Sequence, residues 1–146
     1  MRPMSFNVLI VDDSGAMRAV VKKIITLSGF KMDECYEAAN GREALDLLKE
    51  SWVDIILSDL NMPEMSGLEL LEKLKSDELL KEIPVIVITT EGSDVRRKIV
   101  SDLGAKGFIK KPFIPEEVRK ILYDVLGMTD EGEYGGDQTE TDGVDF

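Results

Sequence analysis

The chain has 146 residues, 43% of them hydrophobic, which is enough for one domain with a full core and too few for two of ordinary size. Its 29 acids outnumber its 18 bases, and the formal charge of -11 disfavours nucleic acid or an anionic membrane as a partner held by non-specific attraction. Histidine is absent, so no histidine general base, histidine metal ligand or phosphohistidine can belong to this chain.

The amino terminus, M-R-P-M-S-F-N-V-L-I-V-D-D, meets acids too soon to hold a signal-peptide core. No apolar run approaches the roughly 20 residues of a membrane span, so the expectation is a soluble, cytoplasmic protein. Asn7 to Val11 is the first predicted strand, ending on Asp12 and Asp13. Met17, Val20, Val21, Ile24 and Leu27 then recur at helical spacing up to Gly29, a suitable residue just past a helix end. Met32 to Ala38 is a more polar strand, as expected at a sheet edge, and holds Cys35, whose being alone excludes an internal disulfide. Asn40 with Glu43 opens a second helix whose apolar side is Ala44, Leu45, Leu47 and Leu48.

The stretch Val53 to Pro63, V-D-I-I-L-S-D-L-N-M-P, orders the rest. Its apolar run is short and β-branched, as in a strand buried on both faces of a parallel sheet. The run stops at Asp59, which therefore stands at the mouth of a strand-to-helix loop, where open α/β sheets keep their sites. Ser66 with Glu69 has the capping-box spacing, followed by Leu68, Leu71 and Leu74 on one helical face. Pro84 to Thr89 is a fourth strand; Val95, Ile99, Val100 and Leu103 mark a fourth helix that Gly104 ends; Gly107 to Lys110 is a fifth strand. Pro115 suits the first position of the last helix, which carries Val118, Ile121, Leu122 and Val125 and closes at Gly127. Residues 1–128 thus read as one α/β body of five βα units around a parallel sheet. From Thr129 to Phe146 the composition turns to Gly, Asp, Glu and Thr without a period, which predicts an unfolded acidic tail. That tail holds seven of the acids and no base, leaving the body at 22 acids against 18 bases. A sharper possibility is that Tyr134 or Val144-Asp145-Phe146 docks near Lys106, Lys110 or Arg119.

The polar residues of interest all follow strands: Asp12 and Asp13 the first, Asp59 the third, Thr89 the fourth, Lys111 the fifth. In a parallel sheet these ends share one edge. If the first and third strands are neighbours, three carboxylates cluster, repelling by about 3 kcal/mol per pair at about 5 Å and an effective dielectric near 20. A hard cation relieves this, and Mg²⁺ suits a site that offers one or two carboxylates and leaves positions for phosphate oxygens and water. Asp13, Asp59 and the backbone carbonyl of Asn61 are the expected direct ligands, with Asp12 acting through water. Neighbouring strands lie about 4.8 Å apart, so the Thr89 hydroxyl can reach a phosphoryl group on Asp59, while Lys111, about 10 Å away, needs its long arm. The expected chemistry is in-line phosphoryl transfer to Asp59, giving an aspartyl phosphate. Taken singly, the acid pair could cap a helix, and Thr89 and Lys111 could be a strand-end hydroxyl and a solvated lysine; their joint order favours the site.

In V-D-D at 11–13, S-D-L-N-M-P-E-M-S-G-L-E-L-L at 58–71, I-T-T-E at 88–91 and K-P-F at 111–113, the chain resembles response-regulator receiver domains of the chemotaxis, CheY-like single-domain type, over roughly residues 7–128. The resemblance implies a flavodoxin-like (βα)5 doubly wound sheet of strand order 2-1-3-4-5, and a Mg²⁺-dependent phosphoacceptor, Asp59, served by a histidine kinase or a small phosphodonor. It implies that Asp12, Asp13 and the Asn61 carbonyl serve the metal and that Thr89 and Lys111 bind the phosphoryl group. It further implies an aromatic switch at Phe108 acting with Thr89, a cis bond between Lys111 and Pro112, and a tuning of phosphate hydrolysis by Asn61 and Glu91. The expected output is binding of a downstream protein, a flagellar motor component or another kinase, through the face of the fourth helix, fifth strand and fifth helix, by a monomer. Thr90 departs from the small residue that the family favours there. Two readings stay beside this one. A haloacid-dehalogenase-type phosphatase would want an acid two residues beyond its nucleophile, where Ser14 and Gly15 stand after Asp12 and Asp13; a receiver-like interaction module would never be phosphorylated. A flavodoxin-like electron carrier would want a Thr- and Gly-rich phosphate loop after the first strand, which is missing.

Overall fold

In the computed structural model, residues 5–62 and 65–128 are described. Strands and helices alternate: β1 (Phe6–Val11), α1 (Gly15–Ser28), β2 (Met32–Ala38), α2 (Gly41–Leu48), β3 (Ile55–Ser58), α3 (Gly67–Lys75), β4 (Val85–Thr89), α4 (Asp94–Asp102), β5 (Gly107–Lys110) and α5 (Pro115–Leu126). The sheet is parallel throughout, in the order β2-β1-β3-β4-β5. This is the doubly wound arrangement expected, with the direction of winding reversing between β1 and β3. No helix among the described residues is long and apolar enough to cross a membrane.

Strand side chains alternate between faces, and this alternation builds two core layers. On one face Val8, Ile10, Ile55, Leu57, Ile86 and Ile88 pack against Val21 and Ile25 of α1 and Val118, Leu122 and Tyr123 of α5. On the other, Leu9, Val11, Ile56, Val85 and Val87 meet Ala44 and Leu48 of α2, Leu70, Leu71 and Leu74 of α3 and Val100 of α4. Strands β3 and β4 are buried on both faces along their whole length, which is why their sequences show no polar alternation.

Caps set the helix starts. Ser14, Asn40, Ser66 and Ser93 each accept a backbone N–H three residues ahead. Ser66 and Glu69 form the predicted reciprocal box, and Glu43 instead takes the N–H of Ala39. Helices α1 and α5 end on Gly29 and Gly127 at φ 85° and 74°, a left-handed geometry that glycine adopts without strain.

The predicted apolar faces need correction in three helices. In α1 the buried side is Val21 and Ile25, whereas Val20 and Leu27 are 47% and 65% exposed. In α3 Leu70 is buried with Leu71 and Leu74, and Leu68 is only half-buried. In α4 only Val100 is buried, and Val95 and Ile99 are 71% and 40% exposed. Spacing shows that a helix has an apolar stripe; a neighbouring layer decides which part of it is covered. The third strand runs from Ile55 to Ser58, on the apolar run read from the sequence; Asp54 lies just before it, its Oδ2 accepting from the Asn7 N–H at 2.8 Å. Pro63 and the tail residues 129–146, including Tyr134 and Val144-Asp145-Phe146, lie outside the described residues.

Candidate functional site

Strand register brings the acids together. Val11 pairs with Ser58, so the residues after them, Asp12 and Asp59, leave the sheet side by side, and the Asp59 N–H donates to the Val11 carbonyl at 2.9 Å. One carboxylate oxygen from each of Asp12, Asp13 and Asp59 can be chosen so that all three lie within 4.8 Å of one another. Asp12 is buried, Asp59 half-buried and Asp13 exposed, so the cluster opens to solvent on one side.

Asp12 and Asp59 are each held by a backbone N–H of the loop they open. Asp12 accepts the Ser14 N–H on Oδ1 at 2.9 Å, which turns the chain into α1. Its carbonyl accepts from Arg18 Nη1 at 2.6 Å, and that guanidinium is fixed on its other side by Glu37 at 2.9 Å. Asp59 Oδ1 accepts the Leu60 N–H at 2.8 Å, and no bond among the described residues engages its Oδ2. Lys111 Nζ approaches Asp12 Oδ2 at 3.6 Å, with both side chains largely buried, and its backbone N–H donates to the Thr89 carbonyl at 2.8 Å. The bond from Lys111 to Pro112 is cis.

The remaining predicted residues lie on β4, on β5 and in the loops that follow β3 and β4. Thr89 ends β4 and is 1% exposed, its Oγ1 accepting the Glu91 N–H at 3.1 Å. Because it accepts there, its own proton is available to an incoming oxygen. Asn61 is exposed, two residues beyond Asp59. The Glu91 carboxylate pairs with Arg96 at 2.9 Å. Phe108 is half-buried on β5, and the Arg97 guanidinium sits 4.6 Å above its ring centre, a cation–π contact.

Three further residues bear on the site or its switch position: Arg18 and Arg97, outside the quoted motifs, and Gly67, which stands within one but bears no predicted role. The signal for Arg18 was a basic residue in a first helical turn, where the dipole disfavours it unless something nearby is anionic. Gly67 opens α3 packed against the Asp59–Leu60 backbone, and its N–H donates to the Leu60 carbonyl at 2.9 Å.

Burial raises the Asp59 carboxyl above its ordinary range; the Leu60 N–H and Lys111 oppose this, and Asp12 and Asp13 add to it. The folded chain therefore holds this proton more tightly than the unfolded chain. As pH rises through the window between the ordinary and the raised value, stability is lost, and above that window the ionised carboxylate remains a cost. In EDTA, Asp59→Asn should be more stable than wild type at neutral pH, with the difference shrinking as pH falls below the ordinary carboxylate range. Urea midpoints across pH read this directly, and equal midpoints at pH 7 would refute it.

The order of the sheet and the acid cluster at the point where its winding reverses define a doubly wound α/β protein with an anionic cleft that could hold a cation. The profile of the response regulator receiver domain matches residues 8–123, and the chain belongs to that family. It is 41% identical over 122 residues to a chemotaxis protein CheY homolog of Campylobacter jejuni, covering 83% of this chain and 92% of that protein. It is 40% identical over 125 residues to chemotaxis protein CheY1 of Helicobacter pylori, covering 85% and 99%. Among solved structures, the chemotaxis response regulator CheY4 of Vibrio cholerae superposes with a TM-score of 0.74 at 36% identity, covering 84% of this chain and 99% of that one.

Proposed function

We propose that this chain is a single-domain response regulator that takes a phosphoryl group onto Asp59 and thereby changes its affinity for a downstream protein. The observation that carries this is the meeting of three carboxylates from two loops, with the Lys111 ammonium already drawn to one of them. A cation would relieve the repulsion of three acids this close, and oxygen donors of this kind fit Mg²⁺, which Asp13, Asp59 and the Asn61 carbonyl would hold directly and Asp12 through water. When bound, the ion would neutralise charge on the phosphoryl oxygens.

The protein's own atoms supply the rest. The Leu60 N–H occupies Asp59 Oδ1, which leaves Oδ2 to attack phosphorus. The new O–P bond forms as the bond to the donor breaks, whether that donor is a kinase phosphohistidine or acetyl phosphate, and the product is an acyl phosphate. Lys111 faces the oxygens that gain charge, and Thr89 donates its free proton to one of them. Drawing Thr89 towards the phosphate opens space for Phe108 to turn inward, which remodels the face of α4, β5 and α5. Asn61 and Glu91, at the rim, tune the return reaction with water. The protein is thus no enzyme with an external turnover; it promotes only its own phosphorylation and dephosphorylation.

The two chemotaxis relatives, covered over 92% and 99% of their length, support a receiver over residues 1–128 carrying residues 129–146 as an appended acidic tail. As chemotaxis proteins they also support a role in chemotaxis or motility. On this reading the chain acts as a cytoplasmic monomer, with a histidine kinase upstream and a flagellar motor component or another kinase downstream. Intact mass after incubation with acetyl phosphate tests this: one phosphoryl group with Mg²⁺ and none in EDTA. Asp13→Asn should need at least about tenfold more Mg²⁺ for the same yield, since loss of even an outer-shell partner of a metal ligand costs about 10–100-fold in affinity. Labelling that ignores EDTA would contradict the account.

A further inference from the structure

The edge of the sheet opposite the acid cluster carries an apolar groove of 530 Å³ between the end of α2, the approach to β3 and the connection from α3 to β4. Leu80 and Ile83 line it. Trp52 and Leu79, 76% and 89% exposed, stand on its rim. Isolated exposed leucines are ordinary, but two large side chains flanking a common apolar cleft form a contiguous patch.

Trp52 is also pinned. Its Nε1–H donates to Asp54 Oδ1 at 2.9 Å, Asp54 Oδ2 accepts the Asn7 N–H, and the Asn7 side chain donates to the Trp52 carbonyl at 2.9 Å. The indole is thus held in place while most of its surface stays in water, so little side-chain entropy remains to be lost on contact. Tryptophan so placed is the residue type most enriched among interface anchors.

The charge around the groove selects the occupant. Asp54, Asp77 and Glu82 line it, and none of the three is in an ion pair among the described residues; its one base, Lys49, faces Asp46 at 3.7 Å. The chain's own tail, with seven acids and no base, is repelled from such a lining. A second copy, at a formal charge of -11, is disfavoured for the same reason.

We propose that this groove docks a basic, amphipathic segment of a partner protein, its apolar side chains seated between Trp52 and Leu79 and its Lys or Arg residues facing Asp77 and Glu82. Since the groove lies at the amino-terminal edge of the strands and Asp59 at the carboxyl-terminal edge, docking here leaves the phosphorylation cleft open.

Trp52 is the only tryptophan, so its emission reports on the groove alone. The full chain is titrated with a tryptophan-free peptide of Leu and Lys at helical spacing and, separately, with the same peptide carrying Glu for Lys. The expected result is a saturable blue shift with the first and none with the second. Glu82→Lys, at a residue with no internal bond among those described, and Leu79→Ser should each weaken the response about tenfold, as loss of an interface anchor or charge does. Both variants should still accept a phosphoryl group from acetyl phosphate, which shows that they fold. Equal response to both peptides, unchanged affinity in Glu82→Lys, or no shift at all would overturn the proposal. So would an emission that moves with protein concentration alone, which assigns the groove to a second copy, or one that moves on Phe146→Ser, which assigns it to the tail.

Discussion

Asp59→Asn should gain no mass from acetyl phosphate and Mg²⁺ under conditions that label the wild-type chain with one phosphoryl group. The carboxamide keeps an oxygen to accept the Leu60 N–H, the one bond to the Asp59 side chain among the described residues, so the loop keeps its shape. What is lost is the nucleophilic oxygen and one negative charge of the cation site. Removing a nucleophile while leaving its surroundings intact lowers rates by at least about a thousandfold, so the residual labelling should fall below detection. Because the same substitution relieves burial of a charge, the variant should be inactive and yet more stable at neutral pH in EDTA, a pairing that a misfolded protein cannot produce. Labelling of Asp59→Asn at the wild-type rate would remove Asp59 from the reaction.

Gly67→Ala should damage both the fold and the reaction. The backbone of Gly67 is helical, and space rather than conformation is what demands glycine. A methyl group at this position would press on the Asp59 carbonyl oxygen and come within 2.8 Å of the Leu60 Cα and 3.1 Å of the Asp59 carbonyl carbon. These are backbone atoms of the nucleophile's own loop, which cannot swing aside as a side-chain end can. Overpacking of this sort costs about 1–3 kcal/mol. A shift of roughly 1 Å in a reacting group can cost about a hundredfold in rate. The urea midpoint should drop and the rate of labelling by acetyl phosphate should fall by at least about tenfold. Ser66→Ala separates the two effects, since it removes the neighbouring cap at about 1 kcal/mol without touching Asp59. Wild-type labelling by Gly67→Ala would show that the Asp59 loop tolerates displacement.

Local rules account for much of what could be read before the structure. Strands β2 and β5 begin and end where their composition changes, and Asn40, Ser66 and Pro115 start their helices where cap and first-turn chemistry places them. The order of the strands was not legible from periodicity and came with the family resemblance. The exposure of Val95 and Ile99 was hidden because an apolar stripe on a nine-residue helix does not say which of its residues the sheet covers. At the site, acids after strands one and three point to the cleft because any parallel sheet gathers those ends. Arg18, Gly67 and Arg97 act through partners distant in sequence: Glu37, the Asp59–Leu60 backbone and the Phe108 ring. No spacing rule connects them. Trp52 shows the same limit, since neither its exposure nor its bond to Asp54 leaves a mark in the local sequence pattern.

Three carboxylates lie close enough together to compete for the same phosphorus, so the identity of the acceptor is the sharpest point of the account. Wild-type protein phosphorylated by acetyl phosphate in Mg²⁺, trapped by borohydride reduction of the acyl phosphate and mapped by peptide mass spectrometry, resolves it. Reduction should convert Asp59 alone, and recovery of the reduced residue at Asp12, Asp13 or anywhere else in the chain would contradict the account.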